Sequence, residues 1–257
     1  MSTDPYAALR GLRIGCVQYL NSRPLICAYD GPVIFEHPSA LGRMLSAGEL
    51  DVALVPVFKA LSEPHFILAD GAAVACDGPV FSVFLAYRGE LADVRSIALD
   101  PASMTSAHLL QVLLAEYHGL QPTYGPAGDA QLLIGNQAIE FRLAADRREW
   151  RFLDLGAEWK RCTGLPFVFA LWVMRADLSE PAAIATALRL LKKEGVQRIP
   201  ALVMAETFAT PEFRLRYLTQ HIEFGIGEQG RCAIAKYRAL LTLHGLISPS
   251  DEPLRYV

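Results

Sequence analysis

Thr163-Gly164-Leu165-Pro166-Phe167-Val168-Phe169-Ala170-Leu171-Trp172 is the stretch whose reading decides the fold. A Gly-x-Pro turn is backbone punctuation. The aromatic and β-branched run behind it has the composition of a fully buried strand. Alone, the segment reads as a turn entering a core strand. It has a counterpart, however, in Asp77-Gly78-Pro79-Val80-Phe81-Ser82-Val83-Phe84-Leu85-Ala86-Tyr87. Both consist of a turn with Gly and Pro, then a β-rich run, then an arginine, Arg88 in one and Arg175 in the other. Two such strands about 85 residues apart predict a chain that crosses from one lobe to a second and later returns. The expected lobes are residues 1–87 plus 173–257, and residues 88–172. A ligand cleft would lie between them, close to Ser82 and the Thr163 turn.

Working outward, strands and helices alternate. Leu12 to Val17, Asp51 to Val57, Ser96 to Leu99 and Gln131 to Gly135 read as strands. Helices are expected over Ala40 to Ala47, Ala107 to Tyr117 and Gln137 to Leu143, and the chain beyond Ala182 is mostly helical. Trp159 to Cys162 reads as a polar run before the turn. This order predicts an α/β fold with largely parallel sheets. Ligands in such folds bind outside the carboxyl ends of strands. Four polar turns follow strands: Tyr19 to Ser22, the Pro56 region, Ser103 to Ser106, and Gly135-Asn136.

The composition excludes several classes. The chain has 257 residues, of which 52% are hydrophobic and 20% charged, enough for a sizeable soluble core. A net charge of −3 with no basic stripe argues against a nucleic-acid partner. The five cysteines are odd in number and widely spaced, so buried reduced thiols are expected rather than disulfides or zinc. Met1 to Gly11 lacks the pattern of an export signal, and no apolar run reaches the ~18 residues of a membrane span. These features point to a cytoplasmic protein.

Each candidate site residue carries two readings. Asn21 can donate and accept, and Arg23 can pair with a carboxylate; equally, Asn21 supplies a turn and Arg23 is solvated. The helix start at Ser103, Thr105 and Ser106 combines free N–H groups with three hydroxyls, which suits a carboxylate or phosphate; Thr105 or Ser106 could instead be an ordinary cap. Asn136 could reach the cleft or merely open a helix. There is no HExxH, Gly-x-Ser-x-Gly or other metal or triad pattern.

Taken in order, Tyr19-Leu20-Asn21-Ser22-Arg23-Pro24-Leu25, Leu50 to Pro56, Gly78 to Val83, Ser103 to Ser106, Leu133 to Gly135 and Thr163 to Trp172 resemble the chorismate dehydratase family. The resemblance covers roughly residues 12–175. It implies a fold similar to type II periplasmic binding proteins. It also implies conversion of chorismate to 3-[(1-carboxyvinyl)oxy]benzoate and water on the futalosine route to menaquinone, with no cofactor and no metal. The family's functional Asn and Ser map onto Asn21 and Ser82. Tyr19, Arg23, Ser103, Thr105, Ser106, Gly135, Asn136, Pro166 and Phe167 are the expected substrate contacts. The chain departs from the family at Val57, where Ser is frequent, and at Asn136, where Asp is frequent. With no strong base in view, the expected chemistry has the enolpyruvyl carboxylate of the substrate take the ring proton. A dihydroxynaphthoate synthase of the same pathway and a cytosolic small-carboxylate binding protein are the alternatives.

Overall fold

The structure, a computed structural model, describes residues 4–146 and 148–257. Met1 to Thr3, part of the stretch read as lacking an export signal, lie outside the described residues. The chain first lays down β1 (Ile14–Cys16), β2 (Ile34–Phe35), α1 (Pro38–Ser46), β3 (Val52–Pro56), α2 (Val57–Ser62) and β4 (Ile67–Cys76). Next come β5 (Val83–Tyr87), β6 (Ser96–Ala98), α3 (Thr105–Val112), β7 (Thr123–Gly125), β8 (Ala130–Ile134), α4 (Gly135–Ala144), β9 (Arg151–Asp154) and α5 (Leu155–Thr163). It ends with β10 (Phe167–Met174), α6 (Pro181–Gln197), α7 (Ile199–Ala205), α8 (Pro211–Arg216), α9 (Glu228–Leu243) and β11 (Arg255–Tyr256).

The strands form two sheets. One has the order β11-β4-β10-β3-β1-β2, the other β7-β6-β8-β5-β9. The chain changes sheet twice, through residues 77–82 and residues 164–166, as the paired turns predict. The expected boundaries need correcting at this point. The strand after each turn belongs to the sheet it enters: β5 pairs with β8 and β9, while β10 lies between β3 and β4. Residues 83–87 therefore go with the second sheet and residues 167–172 with the first. The sheets are also mixed rather than largely parallel. β10 runs antiparallel to both neighbours, and so does β5, because a strand arriving from the other sheet comes in against the local direction.

Burial follows from this arrangement. Every residue of β3 is buried, and β10 is buried at all positions but Ala170. A central strand covered on both faces has no polar side, so it reads as a continuous apolar run. The polar run before the second turn is in fact helix α5. Asp154 caps it by accepting from the Ala157 N–H at 3.1 Å, and Gly164 ends it in the left-handed conformation. Cys16 and Cys76 are buried, but Cys232 is exposed, against the expectation of uniformly buried thiols. Among the described residues no helix is long and apolar enough to cross a membrane.

Helix α6 braces the loop after β1. A Cβ on Gly195 would fall 1.8 Å from the Pro24 carbonyl oxygen, so only glycine lets the two backbones touch. Helix propensity alone favours Ala here by about 1 kcal/mol. We expect Gly195→Ala instead to destabilise by about 1–3 kcal/mol, the usual cost of overpacking. Urea unfolding checks it, and a gain in stability would contradict this packing.

Candidate active site

The loop after β1 is a 3₁₀ turn, Leu20–Leu25. The Ser22 hydroxyl lies 2.6 Å from the Val17 carbonyl oxygen and 2.7 Å from that of Tyr19, which fixes the turn from inside. The turn carries Asn21 to the wall of a cavity between the two sheets. That cavity is partly open to solvent. Val17, Leu54, Val74 and Phe169 line it from the first sheet, and Val83 and Ile134 from the second. Its polar lining is Tyr19, Asn21, Ser103, Thr105 and Ser106. No carboxylate, histidine, lysine or arginine is among the lining residues, and burial pushes the Tyr19 phenol up to about 12.

The first crossing segment is held by one carboxylate. Asp154 accepts from the N–H groups of Val80 at 3.0 Å and Phe81 at 2.8 Å, besides capping α5. Arg142 donates to the same carboxylate at 2.9 Å and to the Phe81 carbonyl at 3.1 Å. Its guanidinium lies 4.4 Å from the Phe81 ring centroid. Between them Phe81 is bent into a γ-turn, with φ 66° and the Ser82 N–H bonded to the Val80 carbonyl at 2.8 Å. A bulky residue at positive φ costs of order 1–3 kcal/mol and persists only where its surroundings over-determine it. Ser82, 0% exposed, therefore sits between the lining residues Val80 and Val83 without lining the cavity itself.

Helix α3 opens on the cavity. No side chain caps its start, and the N–H groups of Thr105, Ser106 and Ala107 have no intrahelical acceptor. The Ser103 hydroxyl is buried without a partner. The Thr105 oxygen accepts from the Phe58 N–H at 3.2 Å and so joins α3 to α2. A negative group in the cavity would thus meet N–H and O–H donors and the positive end of the helix dipole.

The remaining expected contacts divide. Gly135, at φ 68°, faces Tyr19: a Cβ there would stand 2.8 Å from the tyrosine ring. Asn136 does not line the cavity. Its side-chain oxygen accepts from the Leu20 N–H at 3.1 Å and ties the second sheet to the loop after β1. Arg23 does not line it either, and its Nε lies 3.3 Å from a Glu206 carboxylate oxygen. Pro166 and Phe167 lie away from the cavity. The Pro166 carbonyl accepts from the Trp159 indole, and Phe167 packs on Trp159 and Tyr237. Phe169 and Ala170, two and three residues further along the strand, line the wall instead. Val57 opens α2 and is buried outside the lining.

Three residues at the site had escaped sequence reasoning. Asp154 was legible, since Asp at a strand end before Leu-Gly-Ala is an N-cap signal. Arg142 and Tyr217 carry no local signal. Tyr217, fully buried, begins a π-helical turn, Tyr217–His221, and donates its hydroxyl to Ser82 Oγ at 2.7 Å.

The geometry is that of a two-sheet α/β fold with an uncharged, largely apolar cavity between the sheets and hydroxyls at one helix start. The chain matches the menaquinone biosynthesis family over residues 12–242 and belongs to that family. It is 32% identical to a chorismate dehydratase of Thermus thermophilus, over 77% of this chain and 82% of that protein. It is also 31% identical to a 1,4-dihydroxy-6-naphthoate synthase of the same organism, over 40% of this chain and 41% of that protein. Among solved structures, a protein of Archaeoglobus fulgidus superposes with a TM-score of 0.73 at 19% identity, covering 92% of this chain and 98% of that one. A Candida albicans protein described as having the generic periplasmic binding protein fold gives 0.65 at 14%, covering 93% and 92%. The fold is accordingly α/β and of the periplasmic-binding-protein type.

Proposed function

We propose that this chain is a chorismate dehydratase, a hydro-lyase of the futalosine route to menaquinone acting in the cytoplasm. The two sheets would serve as two lobes with chorismate held between them. The observation that carries the reading is the neutral cavity. It offers amide, hydroxyl and helix N–H donors, yet no side chain able to act as a base near neutral pH. The reaction needs little else. It breaks one ring C–H bond and the neighbouring C–OH bond, and releases water and an aromatic ring. Aromatisation drives it, so positioning and electrostatic stabilisation suffice. The substrate's own enolpyruvyl carboxylate takes the proton and passes it to the departing hydroxyl, which leaves as water. Asn21 and Ser82 hold that carboxylate and the departing hydroxyl, and the α3 start receives the other carboxylate.

Incubating the purified protein with chorismate and following the aromatic product by chromatography tests this. Chorismate bound but unchanged would make the protein a small-carboxylate binder. A synthase acting on a larger substrate would leave chorismate alone. The match to such a synthase covers much less of the chain than the match to the dehydratase.

A pH profile gives a second test. kcat reports groups titrating in the enzyme–substrate complex. Tyr19 is the one titratable lining residue, and with its phenol raised to about 12 it stays neutral. kcat should therefore be flat from about pH 6 to 9. A groove adjoining the cavity at Tyr19 and Ala102 contains His37 and Arg43, so kcat/KM is free to vary. A limb in kcat near neutrality would require an enzymic acid or base and sink the substrate-assisted step.

A further inference from the structure

We propose that Tyr217 is a positioning residue that sets the direction of the Ser82 hydroxyl, and that it acts on turnover chiefly through Ser82. This rests on the dehydratase reading of the site. Tyr217 comes from the C-terminal helices, beyond the motif segments quoted from the sequence but within the residues that match the family. It nevertheless reaches the first crossing segment, 135 residues away in sequence. Both partners are closed off from water, with Tyr217 1% and Ser82 0% exposed.

A serine hydroxyl has one proton to give and two lone pairs to receive. Left to itself in a buried pocket, the Ser82 O–H would turn to whichever acceptor lay nearest. The phenol O–H, 2.7 Å from Ser82 Oγ, occupies one lone pair and turns the serine proton away from the ring. The same phenol faces the Asn21 side chain. One ring thus abuts both residues assigned to the reacting groups.

Tyr217 is held rigidly. Its ring stacks on Phe213 at an interplanar angle of 8°. The π turn it begins ends at His221, whose Nδ1 is 2.8 Å from the Pro79 carbonyl oxygen. A π turn inside a helix widens one turn and is frequent at functional sites. Here it brings the phenol and the His221 ring to the same crossing segment. Tyr217 donates its O–H to Ser82 Oγ rather than to the leaving hydroxyl, and burial raises its pKa and makes it a weaker acid. Its part is orientation.

The experiment compares Tyr217→Phe, Ser82→Ala and the double variant with the wild type, each assayed on chorismate and melted. Removing the phenol oxygen should lower kcat about 10- to 100-fold, the scale of a misdirected contact, with KM within about threefold. In the Ser82→Ala background, adding Tyr217→Phe should change kcat less than about threefold, since no hydroxyl remains to be aimed. The double variant strands no phenol proton, so its comparison with Ser82→Ala still shows whether the phenol acts apart from Ser82 even if Tyr217→Phe alone folds poorly. Wild-type kcat in folded Tyr217→Phe, or multiplicative losses in the double variant, would overturn the proposal. An inactive wild type would instead overturn the dehydratase reading.

Discussion

Ser82→Ala and Asn21→Ala are each expected to fold and to lose about 100-fold or more in kcat, the scale set by removing one positioned donor from a preorganised site. The two come from different segments. Asn21 stands on the 3₁₀ turn after β1 and lines the cavity, whereas Ser82 stands behind the γ-turn at the first crossing. Neither carries a charge, so each contributes direction rather than field. Alanine at 82 also leaves the Tyr217 phenol without its acceptor, at a stability cost of about 1–3 kcal/mol. The losses should therefore appear in kcat at temperatures well below the melting point. Steady-state rates on chorismate, with melting curves to show folding, decide the matter. Near-wild-type kcat in both variants would remove the assigned roles.

Asp154→Asn should have the largest effect on stability, about 3–5 kcal/mol, the range found when one partner of a buried ion pair is removed. The Asp154 side chain is 6% exposed and Arg142 17%, so water screens the pair little. The carboxylate serves the Val80, Phe81 and Ala157 N–H groups and Arg142 together. An amide presents one oxygen and one NH2, so it must turn a donor toward donors that the carboxylate accepted. It also leaves Arg142 buried beside three aromatic rings without its anion. The strained Phe81 turn would relax and Ser82 would swing away, so turnover should fall with stability. Denaturant unfolding measures the first effect and the chorismate assay the second. A loss below about 1 kcal/mol would show that the carboxylate is not what holds the crossing.

Much of the architecture was legible because its causes are local. A Gly-Pro punctuation followed by a β-rich run is a property of ten neighbouring residues, and β10 lies over Phe167–Met174 as that reading requires. Asn21 and the α3 start were legible for the same reason: a turn after a strand, and hydroxyls where a helix opens. Helix α5 was missed because its apolar face is narrow. Among its buried residues, only Leu155 and Trp159 are large apolar side chains, so the stretch looks polar when read in line. Arg23, Pro166 and Phe167 show the limit in the other direction. Their residue types suit a carboxylate or an aromatic ligand, but which way a side chain faces depends on a neighbour. For Arg23 that neighbour is Glu206, and for Phe167 it is Trp159 and Tyr237.

By itself, the order of residues indicated most of the elements, the paired turns and the family resemblance, since periodicity, caps and turns act over a few residues. Tertiary structure decided which sheet each crossing strand joins, because that is set by hydrogen bonds to strands far off in the chain. It also decided that Asn136 fastens the two sheets rather than facing a ligand, through a bond to Leu20 spanning 116 residues. It placed Asp154 on Val80 across 74 residues, and Tyr217 on Ser82 across 135. A buried polar group must find a partner wherever the folded chain brings one. Which partner that is becomes defined only once the helices of the C-terminal third have packed against the crossing.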